Sequence, residues 1–124
     1  MSATPSPDSS FVHLNIAQSL ANVGDASALH EMLVMLHDVL SKDTPQIALH
    51  MQERDFPAAQ HLLHALKGCI PIFCTPTLCD ELTAVELLSK SPAPEASASA
   101  YVSLRPKLEA LQLEIVAHLH YSGA

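Results

Sequence analysis

Apolar residues in this chain recur three and four positions apart, the interval that lines one side of a helix, and no stretch alternates as a half-buried strand would. The longest series is Tyr101, Leu104, Leu108, Leu111, Ile115 and Leu119, where Pro106 kinks the helix or delays its start. Another runs through Leu29, Met32, Leu33, Leu36, Val39 and Leu40, with Asp25 as its N-cap. Pro45 interrupts it: either the helix kinks there, or Asp43 or Thr44 caps a new one carrying Ile47, Leu49 and Met51. Upstream, residues 11–23 make a short amphipathic segment closed by Gly24. Downstream, Asp55 caps a helix over 57–73 with Pro57 in its first turn, and Thr75-Pro76 opens the next, which carries Leu78, Leu82 and Val85. Residues 89–98 are the clearest loop.

Residues 1–9, dominated by Ser and Pro, read as a disordered leader or interdomain linker, and 10–121 as one domain. The expected fold class is all-α: an antiparallel four-helix bundle with a short extra N-terminal helix. Composition agrees, because 124 residues at 48% hydrophobic, with three glycines and five aromatic residues, suit a single Leu- and Ala-rich helical core. The net charge of −7 argues against nucleic acid as a partner, and Lys42, Arg54, Lys67, Lys90, Arg105 and Lys107 are scattered. No apolar run reaches the ~18 residues needed to span a membrane, so no direct membrane contact is expected and the chain reads as cytoplasmic.

The chemistry concentrates in His64-Ala65-Leu66-Lys67-Gly68. Winding 57–73 at about 100° per residue gathers Ala59, Leu62, Leu63, Leu66, Ile70 and Phe73 into an apolar stripe. His64 falls roughly 160° from its middle and should face solvent, together with Gln60, His61, Lys67, Gly68 and Pro71. A histidine that another protein's active site must reach needs exposure, a cation nearby and room for close approach. His64, Lys67 and Gly68 offer the three in one run. Glycine inside a helix costs about 1 kcal/mol relative to alanine, so Gly68 asks for a reason: close approach by a partner, or tolerance near a helix end.

This run resembles the signature of the histidine-containing phosphotransfer (HPt) domains of bacterial multistep phosphorelays, in which the phosphorylated histidine opens an H-x-[LI]-K-G motif. Around it, Glu53-Arg54-Asp55-Phe56 stands where that family breaks between two helices, and Leu78, Leu82 and Val85-Glu86 fit its following helix. The resemblance implies a relay that carries a phosphoryl group between aspartates of receiver domains, through Nε2 of His64 as phosphoacceptor. Lys67 would then offset phosphoryl charge, and Gln60 would hydrogen-bond the phosphoryl group or the imidazole. His61, Gly68 and Pro71 would line the docking surface. The implied partner is the receiver domain of a response regulator or hybrid histidine kinase. The receiver would bring the Mg, leaving this chain with no cofactor of its own, no ATP site and a monomeric state. Both a free-standing protein and the final domain of a membrane-tethered hybrid kinase fit these features. The run Cys69-Ile70-Pro71-Ile72-Phe73-Cys74 departs from the family, which carries small or polar residues and a second glycine there.

Rival readings start from the eight histidines and three cysteines. His61 and His64 make at most half a metal site, and Cys69, Cys74 and Cys79 match no common zinc spacing, so no metal is expected. Cys69 and Cys79 read as buried, Cys74 as partly exposed. The alternative function is a non-catalytic helical interaction module that binds a receiver or another signalling protein, with an exposed Ile72 as its anchor.

Overall fold

In the computed structural model, which describes residues 7–122, every regular element is helical. The α-helices are α1 (Ile16–Val23), α2 (Ala26–Gln52), α3 (Phe56–Cys69), α4 (Pro76–Ser89) and α5 (Glu95–Ser122). Helix α2 packs on α3, α3 on α4, α4 on α5 and α5 back on α2, while α1 lies against α2 and the turn that follows α3. Leu33, Leu40, Ile47, Leu63, Leu66, Leu82, Leu104, Leu108, Leu111 and Ile115 fill the middle and are wholly buried. No described helix is long and apolar enough to cross a membrane.

Local chemistry sets the helix ends. Asn15 and Asp25 cap α1 and α2 by accepting from the amides of Gln18 and Ala28, and Gly24 closes α1 at φ 84°. Asp55 caps α3 through the Ala58 amide, as its position implies. Thr75 has the extended backbone of a cap but makes no side-chain capping bond; its amide donates to the His13 carbonyl instead. Just past α2 stands Arg54, a non-glycine residue at φ 60°, with the Asp55 amide reaching back to the His50 carbonyl at 2.8 Å.

Helix α2 runs unbroken through Pro45, so no new helix is capped at Asp43 or Thr44. Pro45 is exposed while Thr44 and Ile47 are buried, so the ring points outward and the inward stripe continues past it. The Tyr101 hydroxyl donates to the Thr44 carbonyl at 2.7 Å, tying α5 to α2 at this point.

Three expectations change. The 89–98 loop is only five residues long, 90–94, because α5 starts at Glu95 and continues through Pro106. Ser97, fully buried, lies beside the Met51 sulfur, so the small residues of this stretch permit close helix approach. The amphipathic segment 11–23 is helical only from Ile16; before it the chain bends at Val12 and His13, and Leu14 bridges Cys74. Of the expected disordered leader 1–9, residues 1–6 lie outside the described ones, but Pro7–Ser10 form a 3₁₀ turn, and Asp8 bonds His118 Nδ1 at 2.8 Å.

A carboxylate from α5 holds this bent segment. Glu114 accepts from the amides of Val12, His13 and Leu14 at 2.8, 3.0 and 2.8 Å. Helix α1 in turn satisfies the α3–α4 connector: Gln18, Asn22 and Ser19 donate to the carbonyls of Pro71, Ile72 and Phe73. The connector turns as a 3₁₀ segment, Ile70–Ile72, which changes the helical pitch after Cys69. The cysteines depart from the expected burial. Cys69 is exposed, Cys79 half-buried and Cys74 buried, and burial followed by the nearby Cys79 and Glu114 pushes the Cys74 thiol well above its usual range. Ile72 is half-buried against the core, not an exposed anchor.

Two substitutions test these joints. Arg54→Gly relieves a left-handed residue at the loss of an exposed ion pair with Glu95 and a contact over Phe56, and should raise stability by about 1 kcal/mol in chemical denaturation. Glu114→Ala should lower stability by about 1–2 kcal/mol and speed hydrogen exchange at Val12, His13 and Leu14.

Candidate functional site

Helix α3 buries Ala59, Leu63 and Leu66 and turns His64 outward, with 64% of its side chain exposed. Lys67 follows one turn later on the same side. Opposite, α4 buries Leu82, Val85, Glu86 and Ser89, so an acidic residue stands on an otherwise inward stripe. The Glu86 side chain has no exposure at all. A carboxylate so placed is stable only if positive or donating groups surround it.

They do. His64 Nδ1 lies 3.1 Å from Glu86 Oε1, and Lys67 Nζ approaches the same oxygen at 3.1 Å. Lys90, one turn beyond Glu86 at the C-cap of α4, brings its Nζ within 2.7 Å of Oε2. Burial alone would push the Glu86 carboxyl up. The bonds from Lys90, His64 and Lys67, with the charge of Lys67, outweigh it and hold the group at about 2. Glu86 is therefore an anion at any ordinary pH.

That charge selects a tautomer. An ionised carboxylate only accepts hydrogen bonds, so Nδ1 of His64 is the donor and carries the proton. In a neutral imidazole the lone pair then resides on Nε2. The exposed ring, the lone pair on its outer nitrogen and two lysines anchored beneath it form a nucleophile beside a place for an anion.

The other expected residues lie around this cluster without joining it. His61 is exposed one turn before His64, and Gln60 is half-buried and makes no hydrogen bond to His64. Gly68 is exposed on α3, and a Cβ built there would meet nothing within 4 Å. Packing within the chain thus gives no reason for glycine at 68. Pro71 is exposed, its carbonyl held by Gln18 at 2.9 Å. Among the described residues no group of three or more His, Cys, Asp or Glu side chains could hold a metal ion.

Glu86 and Lys90 are site residues that motif reading passed over. Glu86 fitted the helix pattern, and its charge on a stripe with Leu82, Val85 and Ser89 was the available signal: an acid on an inward face requires cations. No family model matches this chain, and no curated protein or solved structure matches it.

The depressed carboxyl fixes a pH dependence. A group more acidic when folded contributes stability that is full above its unfolded value and is lost as pH falls through its folded value. Wild-type stability should therefore drop between about pH 5 and about pH 2, and Glu86→Gln should flatten that limb in denaturation measured across pH.

Proposed function

We propose that this chain is a histidine phosphotransfer domain that accepts a phosphoryl group on Nε2 of His64 from the aspartate of a receiver domain and passes it to another. The observation that carries this reading is the contact of His64 Nδ1 with the buried, ionised Glu86, which leaves Nε2 as the nucleophilic atom of an exposed ring. The closed circuit of α2, α3, α4 and α5 supports an antiparallel four-helix bundle with α1 as the short extra helix.

In the transfer step the Nε2 lone pair bonds phosphorus while the phosphorus–oxygen bond of the aspartyl phosphate breaks. Its electron pair returns to the aspartate as carboxylate. Nothing in this step needs a base, because the attacking nitrogen carries no proton. Lys67, 35% exposed and held at Oε1, is free to swing toward the incoming phosphoryl oxygens. Lys90 stands on the opposite side of the same carboxylate and adds a second cation. The open surface at Gly68, with His61 and Pro71, is where the receiver would seat. The receiver brings the Mg and the acidic cluster, and this chain needs no nucleotide site. The setting is the cytoplasm, with this domain a monomer, free or tethered to a sensor kinase.

The test is transfer of label from a radiolabelled phospho-receiver. Wild type should acquire acid-labile, base-stable label, and His64→Gln none. Lys67→Ala should slow transfer by about tenfold or more, the loss expected for one charge-assisted contact of about 1.5–3 kcal/mol. Label retained by His64→Gln would move the acceptor elsewhere, with His61 next in line. Binding without transfer across a panel of receivers would favour the interaction module.

A further inference from the structure

We propose that Glu86 retains the Nδ1 proton of His64 after the phosphoryl group has arrived, so that phosphohistidine in this protein persists as the phosphoimidazolium cation at neutral pH and above. This rests on the phosphotransfer reading of the site and concerns how readily the group is passed on.

When Nε2 becomes bonded to phosphorus and Nδ1 keeps its proton, the ring carries a positive charge. Breaking the phosphorus–nitrogen bond from that form releases a neutral imidazole. Once the proton is lost, the same cleavage must expel an imidazolide anion, a far poorer leaving group. The protonation state of Nδ1 therefore decides whether phosphohistidine is a ready donor or a store.

At this site Nδ1 faces Glu86 Oε1 at 3.1 Å. The carboxylate is fully buried and paired with Lys90 at the C-cap of α4, so water does not compete for it. An opposite charge at this distance raises the affinity of an imidazole for its proton. Lys67 from α3 and Lys90 at the C-cap of α4 are the cations that touch Glu86 and oppose this effect; among the described residues no charged side chain of α2 pairs with Glu86 or His64, and His61 lies a turn away on the exposed side. The transferred group offsets the lysines, since its oxygens carry negative charge and compete for Lys67. As Lys67 turns to them, His64 becomes the chief donor to Oε1. Glu86 is thus a positioning residue and counter-ion that acts through His64 without touching the phosphoryl group.

The experiment uses phosphoramidate, a small phosphodonor that labels exposed histidines without a receiver. Wild type, Glu86→Gln and a free phosphohistidine peptide are phosphorylated, and the 31P resonance is followed from pH 5.5 to pH 10. The His64 signal is assigned by its loss in His64→Gln. The wild-type ring should titrate about 1–3 pH units above the peptide, and Glu86→Gln, which keeps the side chain's size and acceptor oxygen, should titrate at least one unit below wild type. At pH 8 the wild-type label should be lost to hydrolysis about tenfold faster than that of Glu86→Gln. Coincident titration of wild type and free peptide would overturn the inference without reference to any variant, so a Glu86→Gln protein that fails to fold leaves it decidable. Equal titration of wild type and Glu86→Gln would also overturn it. Failure of receivers to donate would overturn the phosphotransfer reading and leave this titration to be judged separately.

Discussion

One carboxylate without solvent exposure organises the α3–α4 half of this protein. Glu86 occupies a position on α4 whose neighbours in the helical stripe are leucine, valine and serine, and water does not reach it. Leaving such a charge alone would cost several kcal/mol, so the fold must deliver donors to it from two helices. The mutual placement of α3 and α4 is thereby tied to chemistry as well as to packing. The histidine's orientation, its tautomer and the standing position of both lysines all follow from that single requirement. An apolar residue at 86 would let α3 and α4 pack well enough while leaving His64 free to rotate.

The N-terminal segment is bound by a related device. Glu114 on α5 gathers three consecutive amides, and α1 satisfies the carbonyls of the α3–α4 connector. The connector is the stretch whose composition departs from the small, polar pattern of phosphotransfer domains. Ile70, Phe73 and Cys74 are apolar because they are buried there, in part beneath Leu14 and α1. The departure thus coincides with a covering segment, and the face of α3 that carries His64 lies on the other side.

Much of this was readable in advance where the physics is local. Capping by Asp25 and Asp55, the apolar stripes of α2 and α5, and the outward direction of His64 depend on residues a few positions apart. The misreadings have a common origin in longer range. Cys74 is buried because Leu14, far upstream in the chain, bridges to it, and Ser97 reads as loop because its burial comes from Met51 on another helix. The Glu114 clamp joins residues about a hundred positions apart, and no window along the chain contains it. Glu86 stood between these cases. Its charge on an inward face was visible, but its partners on α3 were not.

Gly68 separates two kinds of selection. A Cβ there would meet only open space, so packing does not ask for glycine and alanine would favour the helix by about 1 kcal/mol. A library of variants sorted only for folding should drift away from glycine at this position. One sorted for docking should hold it, and the gap between the two populations would trace the footprint of whatever lands on α3.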